Sequence, residues 1–264
     1  MTALYVIIAI LFFGVLVIIH EYGHFITAKA FGINVAEFSV GFGPALVQKE
    51  KNGTLISLRG IPFGGYCAMG EDDGETDDPH AFQNQKVWKR FLVLFAGSFM
   101  NFVLGFLIIL VLVLVWNWGQ AGLGRMLAHS FNLCGDLIKM TWESLAMLVN
   151  GEAGVQDLSG PVGIVDIMAQ SASSAPTVAD AVSNFAYLGA FIAVNIAVMN
   201  LLPIPALDGG RIFLMLVTWV IESITHKKLD PKYEAYIHTG GMLLLLLLMF
   251  YVMFHDIVRV FFGG

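Results

Sequence analysis

Charge is scarce in this chain. Only 13% of its 264 residues are Asp, Glu, Lys or Arg, about half of the ~25% usual in soluble domains. Four long runs have no charged side chain: Ala3–Ile19, Phe91–Trp116, Ala181–Leu207 and Ala235–Phe254. With 57% hydrophobic residues and a mean hydropathy of +0.76, an ordinary soluble fold is excluded. Positive charge is scarcer still. Fourteen Lys and Arg against twenty Asp and Glu leave a net charge of −6, which excludes nucleic acid as a partner. Cysteine is nearly absent: Cys67 and Cys134 have no metal-binding spacing, and the topology below puts them on opposite sides of a membrane, so no disulfide is expected. The first apolar run lacks a basic start and a small-residue cleavage site, so it is not read as a signal peptide.

A helix crossing a bilayer needs about 20 apolar residues. The expected fold is therefore membrane α-helical, with about four transmembrane helices near residues 3–28, 91–116, 181–207 and 235–258. Lys29, Lys49, Lys51, Arg59, Lys86, Lys89, Arg90, Arg211, Lys227, Lys228 and Lys232 fall in the loops after the first and third spans. Only Arg125, Lys139 and Arg259 fall on the other side. This asymmetry puts both loops in the cytoplasm and both termini outside.

Between the first two spans, Val35–Val40 and Leu55–Leu58 are β-leaning, and Asn52-Gly53 between them is a hairpin turn signal. The segment is apolar for a cytoplasmic loop, so residues 35–68 are expected as a membrane-associated β-hairpin sheet, re-entrant beside the first span. The acidic run Glu71–Asp78 is expected as a solvated loop. Residues 117–180 are expected to lie on the outer membrane surface, with an amphipathic helix pattern at Met126–Val149. Ile212–Ile221 is too short to span and reads as a cytoplasmic interfacial helix.

His20-Glu21-Tyr22-Gly23-His24 puts two imidazoles and a carboxylate at the end of an uncharged run. Residues four apart on a helix are offset by roughly 40° and about 6 Å, so His20 and His24 can share one metal ion with Glu21 beside its open position. This is a two-histidine zinc site with a neighbouring general base. An intramembrane ionisable cluster is a functional site by default; the plainer reading is a polar helix end at the interface. Zinc needs a third ligand. Asp208 in Asn200-Leu201-Leu202-Pro203-Ile204-Pro205-Ala206-Leu207-Asp208-Gly209-Gly210 ends the third uncharged run at the cytoplasmic edge, the same depth as the histidines. Its prolines and glycines are expected to break the helix and turn the carboxylate inward.

H-E-x-x-H ending one span and N-x-x-P-x-P-x-L-D-G-G ending a later one resemble the site-2 protease family of intramembrane zinc metalloproteases. The similarity extends to Gly41-Phe42-Gly43-Pro44, Gly64-Gly65-Tyr66, Asp77-Asp78-Pro79, Val87-Trp88-Lys89-Arg90 and Leu158-Ser159-Gly160-Pro161-Val162-Gly163. Two departures stand out. Ser98 takes the proline position in Ala96-Gly97-Ser98-Phe99-Met100-Asn101. The external PDZ domain usual between the second and third spans of the bacterial envelope-stress branch has no room here.

The resemblance implies one intramembrane metalloprotease domain over residues 1–264 in a bacterial inner membrane, with Zn2+ held by His20, His24 and Asp208 and Glu21 as the base. Substrates would be single-span membrane proteins of the anti-sigma-factor or remnant signal-peptide type. A helical substrate must unwind before hydrolysis, and an exposed sheet edge can take its freed backbone. Thr54, Leu55, Ile56, Ser57 and Leu58 are the expected edge, and Asn200, Pro203 and Pro205 the opposite wall of the cleft. A metal-ion transporter is the rival reading, but the matched pairs of discontinuous helices it would need are absent. The oligomeric state is not legible.

Overall fold

The computed structural model describes residues 2–69, 78–116, 122–154, 158–226 and 231–262. The elements are helix α1 (Thr2–Ala30), strands β1 (Glu37–Lys51) and β2 (Thr54–Ala68), a 3-10 turn at Phe82–Asn84, and helices α2 (Val87–Trp116), α3 (Leu123–Val149), α4 (Pro161–Ser173), α5 (Val178–Asn200), α6 (Asp208–Thr225) and α7 (Pro231–Phe262). Among the described residues, four helical segments are long and apolar enough to cross a membrane: Ala3–Ala30, Val87–Trp116, Val178–Asn200 and Tyr236–Arg259. The shortest has 23 residues, which at 1.5 Å each extends about 35 Å, enough for a ~30 Å hydrocarbon core. The expected third span reached Leu207. The helix in fact ends at Asn200, because Pro203 and Pro205 cannot donate to a continuing ladder.

The chain divides into two compact units. The first comprises Met1–Phe13, Phe102–Val198 and Leu243–Gly264. Its core joins Ile109 and Val113 of α2, Met126, Cys134 and Leu137 of α3, and Ala190 and Val194 of α5. On α3 the buried positions are Met126, Ser130, Cys134, Leu137 and Thr141, one stripe at helical spacing. The buried hydroxyls of Ser130 and Thr141 donate to the carbonyls of Met126 and Leu137 one turn back, so this stripe leaves no polar group unpaired.

The second unit comprises Gly14–Asn101 and Met199–Met242. Its core packs Ala28, Ile33 and Val35 with Phe82, Val93, Leu94 and Ile212. The sheet belongs here and is more folded than a plain hairpin. Asn52 and Gly53 both have positive φ, 51° and 71°, the two-residue turn that suits the strand twist. β1 and β2 pair antiparallel, with Lys51 opposite Thr54 and Val47 opposite Leu58. Both strands then bend back at the glycine-rich end. Gly41 has φ 86°, and a Cβ there would lie 2.6 Å from the Ile61 carbonyl oxygen. Residues 37–40 consequently align with 55–58 on one side and with 65–68 on the other. The numbering runs in the same sense on the 55–58 side and in the opposite sense on the 65–68 side. The order across the sheet is 45–51, 54–59, 37–40, 65–68.

This order corrects one expectation. Thr54–Leu58 is no edge: Ile56 faces Lys49 on one side and Phe38 on the other, so the backbone there is already engaged. The outer segments are 45–51 and 65–68. Phe42, Leu46, Val47, Leu58 and Ile61 of the sheet are exposed apolar side chains, a surface that suits lipid better than water. The expected acidic loop lies outside the described residues apart from Asp78, which accepts from the Asn34 side chain at 2.7 Å.

A charged network ties three of the sheet segments together. Arg59 Nη2 donates to Glu37 Oε1 at 2.8 Å, the Tyr66 hydroxyl donates to Glu37 Oε2 at 2.8 Å, and Arg59 Nη1 reaches the Gly43 carbonyl at 2.7 Å. Burial pushes the Glu37 carboxyl up, but hydrogen bonds from Ser57, Arg59 and Tyr66 outweigh it and hold the group below its ordinary value of 4.5. A depressed carboxyl stabilises the fold above its unfolded-state value and loses that contribution as pH falls through the folded one. Amide exchange at residues 37–40 and 65–68, corrected for intrinsic rates, should therefore speed up below about pH 4.5 relative to pH 7. Glu37→Gln should remove that pH dependence.

Candidate metal centre

His20 and His24 lie one turn apart on α1, both buried, with their Nε2 atoms 3.1 Å apart. His24 Nδ1 donates to the Val93 carbonyl of α2 at 2.8 Å. A carbonyl only accepts, so Nδ1 carries the proton and Nε2 of the neutral ring presents a lone pair. Asp208 Oδ2 lies 3.1 Å from His20 Nε2 and 3.3 Å from His24 Nε2. With both rings neutral, His20 has at most one proton to share among three close contacts, whereas a cation at their centre would take a lone pair from each. Ligand atoms at 2.0–2.1 Å from a tetrahedral zinc are about 3.3 Å from one another. The observed 3.1–3.3 Å separations fit that ion, and among the described residues these three form the group that could hold a metal ion.

The turn that delivers Asp208 is compact. Leu202 N–H donates to the Met199 carbonyl at 3.1 Å, Ile204 to Leu202 at 2.7 Å and Leu207 to Ile204 at 3.1 Å. Asp208 then opens α6, with Leu207 as its cap. Gly209 and Gly210 do not break a helix, as the sequence suggested; they lie inside α6. Their role is space. A Cβ at 209 would sit 2.3 Å from the Leu201 carbonyl carbon, and one at 210 would sit 2.1 Å from the Ile204 oxygen. Bare backbone lets the turn fold down onto the helix and aim the carboxylate at the histidines.

α2 closes on the histidines through a second pair of glycines. A Cβ on Gly23 would lie 2.5 Å from the Ala96 oxygen, and one on Gly97 only 2.4 Å from His24 Nε2. Ser98 and Asn101 on the same helix are buried, and neither Ser98 Oγ nor the two polar atoms of the Asn101 side chain has a hydrogen-bond partner.

Glu21 faces the sheet. Its carboxylate accepts from the Cys67 N–H, and its Cγ is 3.7 Å from where a Gly65 Cβ would be. A cavity of about 270 Å³ is lined by His20, Glu21, His24 and Asp208, with Tyr66, Cys67, Asn200 and Arg211 among the other walls. Of the expected substrate residues, Asn200 lines this cavity. Pro203, Pro205 and Thr54–Leu58 do not. Pro205 packs against α7 near Gly241, and Thr54 Oγ1 accepts from Lys29 Nζ at 3.2 Å.

Gly97, the Val93 carbonyl, Tyr66, Cys67 and Arg211 were not expected at the site. For Gly97, the only sequence signal was its place in the span-two motif, and nothing in the sequence marks a particular backbone carbonyl as a histidine partner. Gly97→Ala should lower zinc affinity at least tenfold, measured by chelator competition, with helix content retained by circular dichroism. Ser98→Ala, one residue on, removes an unpaired hydroxyl and should leave zinc affinity unchanged.

The sequence pattern of Peptidase family M50 matches residues 8–248. A protein of Clostridium acetobutylicum, provisionally named a zinc metalloprotease, is 30% identical over 339 aligned positions, covering 96% of this chain and 97% of the relative. The alignment is longer than the chain's 264 residues, so the relative carries segments this chain lacks. The zinc metalloprotease RasP of Oceanobacillus iheyensis is 25% identical, with 96% of this chain and 98% of the relative covered. RasP of Bacillus licheniformis is 24% identical, with 97% and 99% covered. Among the described residues no PDZ domain is evident. Four spanning-length helices and a buried donor set that fits zinc agree with these matches: the chain belongs to Peptidase family M50, the site-2 protease family, and is a multi-pass membrane zinc metalloprotease.

Proposed function

We propose that this protein hydrolyses a peptide bond within the transmembrane segment of single-span membrane proteins, of the anti-sigma-factor or remnant signal-peptide kind. The observation that carries this reading is the donor triad His20, His24 and Asp208, with two of its members and Glu21 inside a helix of spanning length. In this reading the three residues hold the zinc, which when bound activates a water molecule for attack on the peptide carbonyl. Glu21 takes the water's proton and passes it to the leaving amine. His24 is held in its metal-binding tautomer by the Val93 carbonyl.

The unwound substrate lies along residues 65–68, the outer segment whose Cys67 N–H reaches Glu21. Asn200 and Arg211 face it from other walls of the cavity. The exposed apolar end of the sheet rests in lipid, so the site stands below the membrane surface. The family resemblance favours a bacterial cytoplasmic membrane, and the charge asymmetry favours both termini outside. A metal transporter is not favoured, because the relatives bear protease names.

Purified Glu21→Gln should keep its zinc while losing 10²–10⁴-fold in cleavage rate; Asp208→Asn should lose zinc and activity together. Mass spectrometry of products from a reconstituted single-span substrate should locate the cut inside the apolar segment. Cuts confined to its soluble flanks would sink the intramembrane reading. In the Glu21→Gln protein, a photo-crosslinking residue at Tyr66 should capture the substrate, and one at Gln48 on the far side of the sheet should not.

A further inference from the structure

Asp208 is delivered by a turn whose own amide hydrogen bonds stay within residues 199–211, with one exception. The Ala206 N–H leaves the turn and donates to Nδ1 of His238 on α7 at 3.3 Å. Ala206 is two residues before Asp208 and has φ 82°, a left-handed conformation that L side chains rarely adopt. A non-glycine residue keeps such a backbone only where its surroundings hold it there. One turn along α7, Gly241 presses on the same turn: a Cβ there would lie 2.2 Å from Pro205 Cβ. His238 and Gly241 are three residues apart and so share one face of the helix.

We propose that His238 is a positioning residue for the metal centre. Its Nδ1 lone pair holds the Ala206 amide, and through it the turn, in the conformation that aims Asp208 at His20 and His24. This rests on the reading of Asp208 as a zinc ligand. The chemistry explains the residue type. The position needs a neutral acceptor with enough reach to cross from one helix to a turn. A carboxylate would add a second negative charge near Asp208, and lysine has no lone pair to offer when charged. Accepting through Nδ1 puts the ring proton on Nε2, which is buried and without a hydrogen-bond partner. The side chain thus acts through its acceptor nitrogen.

The test measures zinc affinity by chelator competition on purified full-length protein, together with the visible absorption of the cobalt-substituted form. His238→Phe keeps a ring and removes the acceptor, and should lower zinc affinity 10–100-fold and alter the cobalt bands. His238→Gln restores an acceptor oxygen and should stay within a few-fold of the native protein. If the phenylalanine variant does not fold, histidine methylated on Nδ1 at position 238 decides instead, and should behave as predicted for phenylalanine. Native affinity and cobalt bands in the acceptor-less variants would overturn the proposal, and so would equal losses for Phe and Gln. Asp208→Asn separates the two levels. If it leaves zinc affinity unchanged, the ligand assignment itself has failed; if it lowers affinity while the His238 variants do not, only the positioning role has.

Discussion

Two imidazole nitrogens and a carboxylate oxygen within 3.3 Å of one another place three lone pairs around one point. Such a cluster needs protons or a cation between its lone pairs, because little water reaches it to solvate them. The rest of the second unit can be understood as what holds these atoms together. Four helices and a turn must meet with almost no side-chain volume between them. Glycine provides the room at each meeting point: Gly23 and Gly97 between α1 and α2, Gly209 and Gly210 beneath the turn, and Gly241 against Pro205. Each contact is closer than any Cβ would permit, so the metal geometry and the helix packing are one constraint.

Hydrolysis inside a membrane also demands order in polar groups that lipid cannot solvate. The sheet answers this by doubling back. Residues 37–40 are paired on both flanks, and 55–58 likewise, so the polar backbone of the middle segments is consumed internally. The outer segments are 45–51 and 65–68, and one amide of the latter points at Glu21. The Glu37, Arg59 and Tyr66 network braces this outer segment from the sheet side. The strand beside the site is therefore positioned by charge and hydrogen bonding as well as by apolar packing.

Much of this was legible from residues alone. The uncharged runs marked four spans, because a bilayer imposes length and apolarity directly on sequence, though the third ends at Asn200 instead of Leu207. The i, i+4 histidines with the adjacent glutamate announced a metal site, since helix periodicity converts spacing into geometry. Asn52-Gly53 announced its turn for the same local reason. The edge assignment failed. Thr54–Leu58 looked like a free strand, but strand order depends on where the chain folds back, and a second bend at Gly41 and Gly64 placed those residues in the middle. The Asp-Gly-Gly signal was read as helix breaking, whereas the glycines serve close approach inside α6.

By itself the sequence showed the membrane class, the span count and the paired histidines with their adjacent glutamate, because each depends on local composition or on separations within one turn; Asp208 was reached only through its depth and the resemblance of its motif. Tertiary structure alone decided which carbonyl orients His24, which strand faces Glu21, and which helix steadies the turn carrying Asp208. Those partners lie 69, 46 and 32 residues apart in the chain, at His24 with Val93, Glu21 with Cys67 and Ala206 with His238. Nothing in a linear pattern links residues at such distances; only packed helices, closing on glycines without side chains, bring them within hydrogen-bond reach.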